Sequence, residues 1–118
     1  MTVLVIEDEE LIRESILNIL NARGFSAIGA EDGSIGLQLA KQIVPDLILC
    51  DVRMPQLDGY EVLRQLRQNP TTATVPFIFL TAETTQDVFN QGNLLGANGY
   101  ITKPFTTAQL LEAIATYE

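Results

Sequence analysis

The sequence predicts an α/β fold, with five parallel strands in one doubly wound sheet and five helices around it. Short apolar runs of strand length alternate five times with stretches in which apolar residues recur at helical spacing. Strands that alternate with helices are joined by right-handed crossovers and therefore lie parallel. With 118 residues, of which 47% are apolar, the chain is long enough for one core, and we assign residues 1–118 to a single domain.

The first half of the chain supplies three strands and two helices. Residues 3–6 form the first strand, residues 25–30 the second and residues 46–51 the third. The third is nearly all apolar, as expected for a strand that helices cover on both faces. The first helix ends at Gly24, since glycine suits the position after a last helical turn, and Pro45 stops the second. The helical spacing itself is carried by Leu11, Ile12, Ile16, Ile19 and Leu20, and then by Ile35, Leu39, Ala40 and Ile43.

The second half continues the alternation. A loop over residues 52–59, which contains Pro and Gly, leads to a short third helix that ends before Pro70. Residues 75–81 form the fourth strand, with Pro76 near its start, where a missing backbone donor is tolerated. Residues 100–102 form a short fifth strand after a turn that contains two glycines.

The last two helices differ in how clearly the sequence marks them. The fourth, about residues 85–95, has the weakest pattern because two asparagines and Gly92 have poor helix propensity. The fifth begins with Thr106 and has Gln109 three residues later, which is a capping-box pattern. We therefore expect a well-defined start for the fifth helix and a marginal fourth helix.

Composition and charge exclude several functions. A net charge of −8 disfavours direct contact with nucleic acid or an anionic membrane, because both are bound mainly by Lys and Arg. The chain has no His, which excludes imidazole catalysis, His metal ligation and a phosphohistidine-carrier role. The single Cys50 is interpreted as a small buried hydrophobe in a reducing compartment. No apolar run is long enough to span a bilayer, so we expect a cytoplasmic protein.

Polar side chains follow four of the predicted strands, at the point where each strand ends. They are Glu7 with Asp8, then Asp51, Thr81 and Lys103. In open α/β sheets, ligands bind beyond the carboxyl ends of the strands, so these groups are expected to meet at one edge. Together they supply three carboxylates, one hydroxyl and one ammonium, which suits a divalent cation and a phosphoryl group.

Asp51 is the most informative of these residues. An acidic start to the first helix explains Glu9 and Glu10, but a lone carboxylate that ends an apolar strand carries a desolvation cost. Neighbouring carboxylates repel one another unless a cation is bound, and Mg²⁺ prefers such oxygen ligands. A carboxylate can also attack phosphorus and form an aspartyl phosphate. Lys103 and Thr81 would then contact the oxygens of the transferred group.

Four motifs in this order carry a family resemblance. They are Val-Ile-Glu-Asp-Glu at 5–9, Asp-Val-Arg-Met-Pro at 51–55 with Leu-Asp-Gly at 57–59, Leu-Thr-Ala at 80–82, and Gly-Ala followed by Tyr-Ile-Thr-Lys-Pro-Phe at 96–105. From residue 3 to about residue 117 the chain resembles a receiver domain of the two-component response regulators, of the chemotaxis-regulator type. This resemblance implies a flavodoxin-like sheet with the strand order 2-1-3-4-5.

The resemblance also implies a role for each site residue. Asp51 would accept a phosphoryl group from the phosphohistidine of a sensor histidine kinase or phosphotransfer protein. The Mg²⁺ ligands would be Glu7, Asp8, Asp51 and the backbone carbonyl of Arg53. Lys103 would contact the phosphoryl group, and its peptide bond to Pro104 would be cis.

The resemblance further implies a switch, with Thr81 and Tyr100 as its two side chains. On phosphorylation the Thr81 hydroxyl would move toward the phosphoryl group and Tyr100 would turn inward behind it. That movement would change the surface of the fourth helix, fifth strand and fifth helix, where partners dock. The partner would be a downstream protein or an output domain beyond this chain, and a homodimer could use the same surface. Because no output domain follows the last helix, we expect either a stand-alone regulator or a part of a longer protein.

Two departures from the family pattern bear on the site. Glu7 stands where the family often has Asp, and its extra methylene allows it to reach the metal through water. Arg53 lies two residues past Asp51, and Glu83 lies two residues past Thr81. We hypothesise that Arg53 and Glu83 pair across the mouth of the site and slow the attack of water. The alternative is that both side chains point into solvent, where an exposed pair is worth less than about 1 kcal/mol.

Three other functions compete with the phosphoryl switch. A phosphohydrolase with an Asp nucleophile would need a second acid two residues after Asp51, where Arg53 stands. A flavin- or nucleotide-binding module would need a Gly- or Ser-rich loop after the first strand, but residues 7–10 are all acidic and repel phosphate. The third is a receiver-like interaction module that is never phosphorylated, against which the intact acceptor, the acidic pair, Thr81 and Lys103 argue. The favoured interpretation is a switch that catalyses only its own phosphorylation and slow dephosphorylation, and not an enzyme that turns over a metabolite.

Overall fold

The computed structural model describes residues 1–83 and 85–118. Its elements in chain order are β1 (Thr2–Ile6), α1 (Glu10–Ala22), β2 (Ser26–Ala30), α2 (Gly33–Ile43), β3 (Leu47–Asp51), α3 (Gly59–Gln68), β4 (Phe77–Thr81), α4 (Gln86–Leu95), β5 (Gly99–Thr102) and α5 (Thr107–Ala115). The five strands pair in parallel in the order β2-β1-β3-β4-β5, which confirms the predicted sheet. Within the described residues, no helix is both long and apolar enough to cross a bilayer.

The sheet is covered on both faces, and alternate residues of its strands serve the two cores. On β3, Ile48 and Cys50 belong to the core under α2, α3 and α4, whereas Leu47 and Leu49 belong to the core under α1 and α5. All four side chains are fully buried. Each buried aliphatic side chain of this size contributes about 1.5–3 kcal/mol to the stability of the fold. This two-sided burial explains why the third strand is almost entirely apolar, and it confirms that Cys50 is a buried side chain.

Three strands begin later than predicted, because the residues before them have other hydrogen-bond partners. The Phe25 amide donates to the Leu20 carbonyl in the turn that ends α1, at 3.1 Å. The Val75 amide donates to the Thr72 carbonyl in the turn before β4, at 3.2 Å. Asp46 likewise lies outside β3, where its carboxylate accepts a hydrogen bond from the backbone at the start of β1. The apolar pattern locates these strands but does not resolve their first residues.

Side-chain caps fix where four of the helices begin, and each cap satisfies a backbone N–H that the helix leaves free. The capping residues are Asp32 for α2, Asp58 for α3, Thr85 for α4 and Thr106 for α5. The predicted capping box of α5 is confirmed, with reciprocal hydrogen bonds between Thr106 and Gln109. The marginal α4 forms at the predicted place, and Thr85 and Asp58 place the starts of α4 and α3 beside the carboxyl edge of the sheet.

Candidate functional site

The strand register aligns the carboxyl ends of the central strands. Asp51, the last residue of β3, lies opposite Leu80, and the last residues of β4 and β5 pair with each other. Glu7 follows β1 directly, and Lys103 follows β5 directly. The polar residues at these ends therefore extend beyond the same edge of the sheet, as the sequence predicts.

Three carboxylates form a compact cluster at this edge. Glu7, Asp8 and Asp51 each offer an oxygen, and these oxygens lie within 4.8 Å of one another. Glu7 is fully buried and Asp51 is 8% exposed, whereas Asp8 is open to solvent. Hard oxygen donors from two or three carboxylates, with an open side for water, fit Mg²⁺ better than a soft metal. The donor set of this cluster therefore fits the cation that the sequence predicts.

The ammonium of Lys103 lies against the same cluster. It donates a hydrogen bond to Glu7 Oε1 at 2.5 Å and lies 3.3 Å from Asp51 Oδ2. The Lys103 side chain is only 15% exposed, so solvent screens these charges weakly. The Lys103–Pro104 peptide bond is cis. The predicted acidic pair, acceptor carboxylate and ammonium thus meet within one side chain's reach.

Burial sets the protonation of this cluster. It raises the pKa of Glu7 from 4.5 to about 7, although the hydrogen bond from Lys103 lowers it, and the charge of Asp51 adds to the rise. Burial also raises the pKa of Asp51, against the charge of Lys103. Burial lowers the pKa of Lys103, but the hydrogen bond to Glu7 and the charge of Asp51 outweigh it and the net direction is upward. A bound cation would favour the ionised form of both acids, so cation binding would displace protons from this cluster.

The Thr81 hydroxyl is buried and engaged with the chain that follows β4. It accepts a hydrogen bond from the Glu83 amide at 2.9 Å and donates to the Glu83 carbonyl at 3.2 Å. The Thr81 carbonyl accepts from the Lys103 amide at 2.8 Å, which joins the ends of β4 and β5. Thr81 therefore links Lys103, which directly follows β5, to the start of the connection between β4 and α4.

Arg53 and Glu83 form a two-pronged ion pair. Arg53 Nε lies 2.5 Å from Glu83 Oε1, and Arg53 Nη2 lies 3.2 Å from Glu83 Oε2. Both residues line a cavity of about 220 Å³ that also reaches Asp51, Thr81 and Lys103. The hydrogen bond to Glu83 raises the pKa of Arg53, and the same bond lowers the pKa of Glu83. The hypothesised pairing across the mouth is therefore the arrangement that the two side chains adopt.

Tyr100 lies between α4 and the sheet. Its ring stacks on Phe79 with centroids 5.8 Å apart and meets Phe89 edge-on at 4.8 Å. The hydroxyl donates to the Phe89 carbonyl at 2.7 Å and lies 3.3 Å from the side-chain oxygen of Asn93. The hydroxyl of Tyr100 is thus bonded to α4.

Sequence reasoning missed three residues that shape the site. A Cβ on Gly59 would overlap the backbone carbonyl of Asp51, so only glycine lets the start of α3 approach β3 so closely. The guanidinium of Arg13 donates to the Glu7 carbonyl at 2.9 Å, and helical spacing gives no signal for that contact. Gly92 leaves room for Tyr100, although its sequence signal is only a poor helix propensity.

The family comparison gives one clear result. A family model described as the response regulator receiver domain matches residues 3–115, which is nearly the whole chain. Among curated proteins, the phosphate regulon transcriptional regulatory protein PhoB of Pseudomonas aeruginosa is 37% identical over 110 residues, covering 93% of this chain and 48% of the relative. The DNA-binding dual master transcriptional regulator RpaA of Synechocystis is 36% identical over 112 residues, covering 95% of this chain and 46% of the relative. The chain therefore spans about half the length of the curated relatives it matches.

Solved structures agree with this result. Chemotaxis protein CheY4 of Vibrio cholerae, crystallised at low pH, superposes with a TM-score of 0.95 at 30% identity, covering 99% of this chain and 98% of that one. The receiver domain of a sensor histidine kinase from Pseudomonas aeruginosa superposes with a TM-score of 0.90 at 31% identity, covering 98% of this chain and 95% of that one. The second structure has a magnesium ion coordinated in its active site cleft.

Proposed function

This chain belongs to the response regulator receiver domains, the signalling switches of two-component systems, and on that premise we propose that Asp51 is its phosphoacceptor. The observation that carries the proposal is the position of Asp51 Oδ2, 3.3 Å from the Lys103 ammonium and inside a cluster of three carboxylates. The α/β fold by itself does not require these charged side chains to lie together. A site that receives a phosphoryl group needs an acceptor oxygen, cationic groups and restricted access for water, and this edge of the sheet offers all three.

The donor in this proposal is the phosphohistidine of a sensor histidine kinase or phosphotransfer protein. An Asp51 carboxylate oxygen forms a bond to phosphorus as the P–N bond of the phosphohistidine breaks, and the departing imidazole takes a proton from solvent. Lys103 stabilises the ionised Asp51 before the transfer and the charged phosphoryl oxygens after it. Because only the chain's own carboxylate is modified, the chain acts as a switch that catalyses its own phosphorylation and slow dephosphorylation.

The cation belongs to the same proposal. Glu7, Asp8, Asp51 and the backbone carbonyl of Arg53 would hold Mg²⁺, which when bound neutralises part of the charge on the phosphoryl oxygens. Support comes from the oxygen donors of this cluster and from the magnesium ion in the cleft of the kinase receiver domain. Glu7 accepts a hydrogen bond from Lys103. Its side chain is one methylene longer than that of Asp, and it would contribute to the cation either directly or through water.

Thr81 and Tyr100 are the proposed switch pair. A phosphoryl group on Asp51 offers the Thr81 hydroxyl a charged acceptor in place of the Glu83 carbonyl, and charged acceptors form the stronger hydrogen bonds. Tyr100 would then leave its contacts on α4 and turn inward behind Thr81. This movement would alter the surface formed by α4, β5 and α5, which would bind a downstream protein, an output domain or a second copy of the chain.

Arg53 and Glu83 are proposed to gate the mouth of the site. In this proposal the attacking water of dephosphorylation enters through the cavity that this ion pair lines. A paired arrangement leaves less space for that water than two side chains turned outward. We infer that the pair lengthens the phosphorylated lifetime.

Phosphorylation from a small donor tests the assignment of Asp51. The chain is incubated with acetyl phosphate and Mg²⁺, and its intact mass is measured by electrospray. We expect one added phosphoryl group on the wild type and none on Asp51→Asn. Asp58→Asn is the matched control, because Asp58 caps α3 nearby and should leave the modification unchanged. Modification of Asp51→Asn, or none on a folded wild type, would refute the assignment.

A further inference from the structure

The side of α4 that faces the sheet has a gap opposite Tyr100. Gly92 is buried, and a Cβ at this position would overlap the hydroxyl of Tyr100. The same Cβ would lie 3.0 Å from both the Tyr100 ring and the Phe79 ring, closer than ordinary van der Waals contact. The hydroxyl end of Tyr100 therefore occupies the space that a side chain at residue 92 would fill.

The backbone of Gly92 gives no other reason for a glycine. The described glycines with positive φ are Gly24 and Gly96, which end helices, and Gly92 is not among them. A glycine inside a helix weakens it relative to alanine. The close approach of Tyr100 is thus the feature of this structure that requires Gly92.

Contacts to three residues hold Tyr100 at the gap. Its hydroxyl donates to the Phe89 carbonyl at 2.7 Å, and the side-chain oxygen of Asn93 lies 3.3 Å away. Its ring lies edge-on to Phe89 and stacks on Phe79. Phe89, Gly92 and Asn93 are one turn apart or adjacent on α4, so one short stretch of helix forms one side of the receptacle and Phe79 of β4 forms the other.

We propose that Gly92 fixes the resting position of Tyr100 and that this position opposes activation. Because residue 92 has no side chain, the Tyr100 hydroxyl can bond to α4. Phosphorylation must then break that contact before Tyr100 can turn behind Thr81. The first half of this proposal concerns the unmodified chain alone, and the second half rests on the proposed function.

A thermal double-mutant cycle tests the first half. The melting temperature is measured for the wild type, Gly92→Ala, Tyr100→Ala and the double variant. We expect Gly92→Ala to lower the melting temperature of the wild type by clearly more than it lowers that of Tyr100→Ala, where the overlap with the Tyr100 hydroxyl is removed and only the 3.0 Å approach to the Phe79 ring remains. Gln91→Ala, at an exposed neighbouring position, should give equal shifts in both backgrounds. Equal shifts for Gly92→Ala would overturn the proposal.

Fluorine NMR tests the same contact in the folded protein, so its result does not depend on whether thermal unfolding is two-state. The chain has three tyrosines, so 3-fluorotyrosine labelling gives three signals, and Tyr100→Phe identifies one of them. In Gly92→Ala we expect the Tyr100 signal to move toward that of a solvent-exposed tyrosine, while the Tyr60 and Tyr117 signals keep their positions. An unmoved Tyr100 signal would contradict the role of Gly92.

Titration with beryllium fluoride in the presence of Mg²⁺, as a phosphoryl mimic, tests the second half. The Gly92→Ala variant loses one hydrogen bond that stabilises the resting state. The beryllium fluoride concentration that half-saturates this variant should therefore be about 2- to 10-fold lower than that for the wild type. An unchanged value, together with a positive double-mutant cycle, would show that the receptacle exists but does not oppose activation. No response from the wild type would count against Asp51 as acceptor, and the thermal cycle would still decide the role of Gly92.

Discussion

The two sides of the site are held together by different forces. On the acidic side, formed by Glu7, Asp8, Asp51 and Lys103, the Lys103 ammonium contacts the buried carboxylates of Glu7 and Asp51 directly, at 2.5 and 3.3 Å. On the switch side, formed by Thr81, Tyr100 and α4, the contacts are stacked rings and single hydrogen bonds between neutral groups. The switch side also includes a buried polar group that forms no hydrogen bond within the described residues. This group is the hydroxyl of Tyr60, whose ring packs on Phe79.

This difference would allow one small domain to bind charge firmly and still change conformation, as the proposed function requires. The acidic side responds to protons and cations, because its energy comes from desolvated charges. The switch side responds to packing, because its neutral contacts are individually weak and can be exchanged at little net cost. Changes on the acidic side should therefore alter chemistry and pH dependence, and changes on the switch side should alter the balance between conformations.

Removal of the ammonium should give the largest effect. Lys103→Met keeps the length and apolar stem of the side chain but removes the charge beside Asp51. Loss of one charge-stabilising group of this kind slows a transfer by about 10²- to 10³-fold. We expect that decrease in the rate of phosphorylation by acetyl phosphate, measured by intact mass over time.

A matched lysine separates the site effect from the loss of one positive charge. Lys41→Met changes an exposed residue in the last turn of α2 and should react at the wild-type rate. Circular dichroism checks that Lys103→Met is folded. A folded Lys103→Met that reacts within tenfold of the wild type would contradict the role of the ammonium.

The pH dependence of stability should give the second-largest effect. The pKa of Glu7 rises from 4.5 to about 7 on folding, so the folded state binds this proton more tightly than the unfolded state. The resulting stabilisation is complete below pH 4.5 and is lost as the pH rises to about 7. Asp51 shifts in the same direction, whereas Lys103 titrates far above this range. We expect the metal-free chain to lose about 3 kcal/mol of unfolding free energy across the interval.

A difference curve isolates the contribution of Glu7 from that of the other acids. Urea unfolding is measured at several pH values with EDTA for the wild type and for Glu7→Gln, which cannot titrate. The variant should show a much flatter curve than the wild type. Glu14→Gln, at an exposed position of α1, should follow the wild type. Parallel curves for the wild type and Glu7→Gln would show that Glu7 titrates normally.

The acidic side could be predicted from the sequence almost completely. Each of its groups stands at the end of an apolar run, and the carboxyl ends of parallel strands meet at one edge whatever the helices do. Asp51 and Lys103, for example, are placed by β3 and β5 alone. Two contacts of Glu7 were not predicted: the length of its side chain decides whether Lys103 reaches its carboxylate, and helical spacing gives no signal for the bond from Arg13 to its carbonyl.

The switch side could be predicted only in outline. The motifs identify Thr81 and Tyr100, but the contacts of Tyr100 depend on how closely α4 approaches the sheet. No local pattern measures that approach, and propensity marks Gly92 only as a weak point of the helix. Strand starts such as Phe25 escape prediction for a similar reason, because hydrogen bonds to neighbouring turns decide them.

The ion pair across the mouth, which joins the two sides, should give the smallest effect. Arg53 and Glu83 are 63% and 37% exposed, so their pairing is worth less than about 1 kcal/mol and should hardly change the unfolding free energy. An energy of that size changes a rate by up to about fivefold. We expect Arg53→Ala and Glu83→Ala each to shorten the phosphorylated lifetime by up to that factor, measured after removal of the phosphodonor.

The pattern of the variants distinguishes gating from a general loss of charge. Because the two side chains act as one barrier, the double variant should dephosphorylate no faster than the faster single variant. Glu61→Ala breaks another exposed pair, with Arg64 on α3, and should keep the wild-type lifetime because that pair does not line the mouth. If both single variants keep the wild-type lifetime, the ion pair does not restrict the access of water. Water would then reach the phosphoryl group by a path that these two side chains do not control.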